Sequence, residues 1–141
     1  THKNNDSEQS RLFQDLFEGL SYAYERMAAT PGVVGETQAD EVCFVILSEM
    51  ARTPFFNLNT GKDHWPYTSA MMIGAGVRGG QAIGGWDEGQ YGLDIDTQTG
   101  QPSTNGYPFG TNVFGATLMA HAGVDWVAEE IPAEPILEVV E

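Results

Sequence analysis

Six consecutive apolar residues, Val42-Cys43-Phe44-Val45-Ile46-Leu47, stop abruptly at Ser48-Glu49. A run this short and this rich in β-branched side chains reads as a strand buried on both faces, the kind found in parallel sheets covered by helices. Open α/β sheets place their ligands just beyond the carboxyl ends of such strands, which makes Glu49 a candidate site residue. Ala70-Met71-Met72-Ile73 reads as a second short buried strand. Residues 10–29 carry a helical repeat, with Leu12, Leu16, Leu20 and Tyr24 at four-residue spacing and Phe13 and Phe17 beside them. Ser7 or Ser10 would cap this helix, Thr30-Pro31-Gly32 would stop it, and its aromatic stripe is expected to face a core. Residues 111–122 repeat the pattern through Val113, Phe114, Thr117, Leu118 and Ala122, with Gly123 as the stop signal. Tyr91, Leu93 and Ile95 alternate as in a short hairpin arm, and residues 136–140 suggest an edge strand. The expected fold class is therefore α/β, a mainly parallel sheet flanked by helices.

Charge narrows the range of partners. Six Lys and Arg stand against twenty Asp and Glu, for a net charge of −14. Such a chain repels phosphate backbones and anionic bilayers, so neither nucleic acid nor a membrane surface is an expected partner. No apolar run is long enough to cross a bilayer. With 41% hydrophobic residues the chain is globular rather than disordered. Cys43 is the single cysteine, which rules out an intrachain disulfide, and its place in the apolar run makes it a core residue. Thr1-His2-Lys3-Asn4-Asn5-Asp6 does not resemble a natural start, so the chain reads as a processed product or a piece of a longer one.

Within this acidic background Arg52, Lys62 and Arg78 cluster in the central segment, either as a local anion pocket or as ordinary partners of the abundant acids. His64 stands in Gly61-Lys62-Asp63-His64-Trp65-Pro66, where an imidazole beside a carboxylate suits Zn, Mn or Fe. His121, in the second helical stretch, reads as a packed histidine. The glycines between Gly74 and Gly85 follow neither a dinucleotide nor a Walker pattern and serve tight turns. Asp94, Asp96 and Thr97 resemble the start of a calcium loop, but the rest of that motif is out of place and a surface loop fits better.

Three ordered motifs carry a family resemblance. Leu47-Ser48-Glu49-Met50-Ala51-Arg52-Thr53-Pro54, then Gly61-Lys62-Asp63-His64-Trp65-Pro66, then Gly74-Ala75-Gly76-Val77-Arg78-Gly79-Gly80 closely resemble a bacterial family catalogued as domain of unknown function 1501. That family is grouped with the alkaline phosphatases and sulfatases. The resemblance spans essentially the whole chain and implies the carboxy-terminal portion (1–141) of one alkaline-phosphatase-like domain, incomplete without an amino-terminal segment. Thr1-His2 match the end of the family's Asp-Thr-His motif.

The resemblance implies a divalent-metal site (Zn, Mn or Ca) drawn from His2, Glu49, Asp63 and His64, with Arg52 as the catalytic anion contact. Met50 stands where the superfamily has a histidine, so a second metal site is expected to be incomplete, and Met50-Ala51 replace the family's Phe-Gly. The nucleophile is expected outside this chain, on the amino-terminal segment of the same protein or on a companion chain. The implied function is that of a secreted or periplasmic metal-dependent hydrolase of small phosphate or sulfate esters. The alternative is a non-catalytic secreted structural or assembly subunit that retains the fold. A catalytic Thr1 at a processed terminus is a third reading, which the motif match makes unnecessary.

Overall fold

A computed structural model describes residues 1–139, and the chain divides into two units with the boundary between Ala75 and Gly76. In chain order the elements are helix α1 (Asn5–Ala28), strands β1 (Cys43–Leu47), β2 (Ala51–Arg52), β3 (His64–Trp65) and β4 (Ala70–Gly74), and helix α2 (Thr111–His121). Short 3-10 turns cover Gln38–Asp40 and Leu137–Val139.

The first unit begins with α1, which starts before the apolar repeat does. Asn4, at φ 49°, takes the N-cap position without a side-chain cap. The entry is held instead by backbone bonds, Asn4 N–H to the Asn59 carbonyl (3.3 Å) and Asn5 N–H to the Thr60 carbonyl (3.0 Å). Ser7 sends its hydroxyl back to the Asn4 carbonyl (3.2 Å) and so sits inside the helix rather than capping it. At the far end the chain leaves at Thr30-Pro31, where proline has no N–H to continue the ladder. The stripe of α1 is only half covered: Leu12, Phe13, Phe17 and Tyr24 each keep 46–49% of their surface exposed.

The β1 and β4 runs are strands, but they pair with each other antiparallel, with Cys43 opposite Gly74 and Leu47 opposite Ala70. β2 and β3 form a second antiparallel pair, with Ala51 opposite Trp65 and Arg52 opposite His64. This overturns the expected mainly parallel, alkaline-phosphatase-like sheet: the described residues hold two two-stranded antiparallel sheets and two helices. A parallel return from β1 to β4 requires a crossover, usually a helix, of a dozen or more residues. The connection here carries Pro54, Gly61 and Pro66 and folds into turns and the β2–β3 pair, so the chain doubles back. Nor is β1 buried on both faces; four of its residues are half-buried and Leu47 is exposed. Cys43 is half-buried too, and burial pushes its thiol upward in pKa.

The second unit is built around Ile95, which is fully buried and packs in one cluster with the buried Val113 and Ile136. Ile95 and Tyr107 exchange both backbone bonds (2.9 and 2.8 Å), and the expected arm forms isolated bridges, from Gly92 to Trp86 and from Ile95 to Pro102 and Tyr107, rather than a strand. Thr117 links α2 to the tail: its hydroxyl donates to the Val113 carbonyl (2.8 Å) and accepts from the Ile136 N–H (2.9 Å). Helix α2 closes as the glycine predicts. Gly123 (φ 70°) donates to the Ala120 carbonyl and Val124 to the Met119 carbonyl, the paired bonds of a Schellman ending. The edge strand expected at residues 136–140 is not formed within the described residues, where Leu137–Val139 make a 3-10 turn; Val140 lies outside them. No helix among the described residues is long and apolar enough to cross a membrane.

Candidate functional site

The chain's first residues are stitched onto the loop that precedes β3. Lys62 N–H donates to the Thr1 carbonyl (3.1 Å), and Lys3 bridges Thr60. Gly61 is buried beneath this crossing, and a side chain there would collide with the backbone of His2 and Lys3. Glycine is required because one backbone lies directly on another.

That crossing brings together residues far apart in sequence. His2 Nε2 lies 3.1 Å from His64 Nε2, with ring centroids 4.9 Å apart. Arg52, opposite His64 across β2–β3, places Nη1 3.0 Å from the same His2 Nε2 and 3.4 Å from the Lys62 carbonyl. On the other side of the ring, His2 Nδ1 faces Asp63 Oδ1 at 3.5 Å. Asn57 donates from Nδ2 to Asp63 Oδ1 (3.0 Å) and to the His2 carbonyl (3.1 Å). Asp63 is held below the usual carboxylate value, first by the Asn57 hydrogen bond, against an opposing desolvation, and then by His2 and His64. The side chains of His2 and Asp63 are more than half exposed (55% and 64%), so each single contact adds little to stability.

Of the expected site residues, His2, Arg52, Asp63 and His64 therefore meet in one cluster. Glu49 follows β1 as an exposed residue with no hydrogen bond or ion pair among the described residues. Lys62 stacks its ammonium over Phe56, 5.2 Å from the ring centre, beside the cluster. Arg78 belongs to the second unit and pairs with Glu138 at 3.3 Å, as a cation among abundant acids does. His121 ends α2 packed against Gly76, with its Nδ1 buried and unbonded among the described residues. Asn57 was legible only as part of a turn-rich stretch. Its signal was an Asn two residues before a second Asn and four before a glycine, the spacing of a side chain that bonds the backbone ahead of it.

How well does the cluster suit a divalent ion? Two imidazole nitrogens bound to one ion at about 2.1 Å each lie roughly 3.0–3.4 Å apart, which brackets the separation of the His2 and His64 Nε2 atoms. Asp63 sits behind His2, on Nδ1, where a carboxylate orients a metal-binding imidazole rather than touching the ion. Arg52 occupies part of the space in front of His2 and would have to turn aside. Among the described residues no group of three or more His, Cys, Asp or Glu is placed to share an ion. The chain thus offers a two-nitrogen pair that fits, with further donors needed from elsewhere.

The geometry defines a surface cluster of paired imidazoles backed by a carboxylate and flanked by a guanidinium. The chain belongs to the family described as "Protein of unknown function (DUF1501)", which it matches over residues 1–138. No curated protein and no solved structure matches it.

Proposed function

We propose that the chain forms part of a metal-dependent hydrolase of phosphate or sulfate esters, in keeping with its resemblance to the phosphatase and sulfatase superfamily. The observation that carries this reading is the pairing of His2 Nε2 and His64 Nε2 at 3.1 Å, across 62 positions of sequence. Two neutral imidazoles can meet in this way through a single N–H···N hydrogen bond, and a shared cation would hold the same two nitrogens at the same separation. His2 and His64 would hold the ion; Asp63 would fix the ring of His2. When bound, a divalent ion polarises an ester oxygen and neutralises developing negative charge. Arg52, released from His2, would receive the anionic group through charge-assisted hydrogen bonds, with Lys62 close by.

The remaining donors and the nucleophile would come from a segment outside these residues, on the same protein or on a companion chain. The half-exposed stripe of α1 supports such a partner, since Leu12, Phe13 and Phe17 form an apolar face in need of cover. Glu49 becomes a ligand in this reading only if that partner brings it to the imidazoles. Secretion or periplasmic residence belongs to the same proposal and rests on the resemblance and the acidic surface. A second reading, a non-catalytic structural or assembly subunit, is favoured by one observation: Arg52 already fills part of the space an ion would need.

Metal analysis of the intact protein separates the two. Zn, Mn or Ca bound in stoichiometric amount by wild type and lost in His64→Ala supports the hydrolase reading, and turnover of aryl phosphate or sulfate esters extends it to catalysis. Wild-type protein that takes up none of these ions sinks it in favour of the structural role.

A further inference from the structure

We propose that Asn57 is a positioning residue of the cluster: its side-chain amide ties Asp63 to the His2 backbone, so that His2 keeps its proton on Nδ1 and presents a bare Nε2. The tautomer follows from the contacts. A guanidinium can only donate, so Arg52 Nη1, 3.0 Å from His2 Nε2, requires a lone pair there. A neutral imidazole then carries its single proton on Nδ1, the atom that faces Asp63 Oδ1. His64 Nε2, 3.1 Å from His2 Nε2, can then meet it only as an N–H that shares this one lone pair with Arg52.

What makes this arrangement depend on Asn57 is the use of its entire amide. An Asn side chain has two N–H donors and two carbonyl lone pairs. Both donors are taken, by Asp63 Oδ1 and the His2 carbonyl. Oδ1 accepts from the Asn59 N–H (2.9 Å) and the Gly61 N–H (3.0 Å). Its backbone closes the same loop, donating to the Gly61 carbonyl (2.7 Å) and accepting from the Thr60 N–H (3.1 Å). Glutamine would overshoot by a methylene, aspartate would lose both donors, and alanine would lose everything. Asp63 is exposed, and without this tether its carboxylate is free to swing into water and leave Nδ1 unpaired. That the bare Nε2 serves a metal rests on the function proposed above; the tautomer does not.

The test uses the full chain labelled with 15N-histidine, with long-range proton–nitrogen correlations recorded metal-free, above the imidazole titration range. Wild type is expected to show His2 mainly in the Nδ1–H form, against the Nε2–H preference of free imidazole, and slow exchange of the Asn57 side-chain amide protons. Asn57→Asp keeps the acceptor for the loop amides and removes the donors, and Asn57→Ala removes both. Each is expected to return His2 to an Nε2–H majority, while Asn59→Ala leaves it as in wild type. A wild-type His2 protonated mainly on Nε2 overturns the proposal, as does either Asn57 variant that stays folded with the Nδ1–H form intact. If both variants lose the β2–β3 amide pattern, the wild-type tautomer and amide exchange decide. Metal uptake is measured separately, so a chain that binds no ion yet shows the tautomer change refutes the hydrolase reading and supports this one.

Discussion

Gly61 shows how much of the cluster depends on what a residue lacks. Its hydrogen occupies the only space left between the loop and the His2–Lys3 backbone, so a methyl group there must push one of them away. Gly61→Ala is expected to lift His2 off His64 and Arg52 and to cost about 1–3 kcal/mol, the usual range for forcing bulk into a filled space. Chemical denaturation reads the stability, and loss of the His2–His64 contact in proton NMR reads the geometry. Unchanged values for both would mean that the first residues do not lie on this loop. At this scale the sequence spoke clearly in part. His2, Arg52, Asp63 and His64 stood in motifs and do come together. Glu49 stood in one too, but an acid that follows a strand is drawn toward a site only when something there bonds it.

At the scale of the element, the signals that stop a helix proved more dependable than those for its start or for a sheet. Gly123 sits at φ 70° with nothing near its missing Cβ, so its role is conformational. Gly123→Ala is expected to cost about 1–2 kcal/mol, the strain of a left-handed L-residue, with the loss appearing as fraying at the carboxyl end of α2. Thermal unfolding measures the first and amide exchange at Val124 the second; exchange as slow as in wild type would remove the argument. The stop at Thr30-Pro31 was equally legible, because backbone chemistry acts locally. The direction of β1 was not. Apolar content records how buried a strand is meant to be, whereas direction is decided by the connection, and the 22 residues between Leu47 and Ala70 hold turns and the β2–β3 pair but no crossover helix. The start of α1 was missed for a related reason: Asn4 and Asn5 are held by Asn59 and Thr60, partners that no local pattern reveals.

On the scale of the whole molecule, apolar cover is distributed unevenly. Among the described residues the buried hydrophobic core consists of Ile95, Val113, Ala116 and Ile136 in the second unit, but only Ala39 in the first. A unit of that size with so little core is marginal on its own. The chain by itself is therefore expected to bind a hydrophobic dye strongly, and to lose that signal when the segment proposed to complete it is supplied. A chain that is dye-silent alone would remove the support that α1 lends to a partner. The net charge of −14 should keep such a surface soluble at low salt and less so as screening rises. The crossing of His2 over Gly61 also bears on the order of events in folding. Its contacts close a span of about sixty residues, and wide loops close late because their ends must find each other against chain entropy. The imidazole pair should thus be among the last features to assemble and among the first to come apart, while helix α1, whose bonds are local, is still intact.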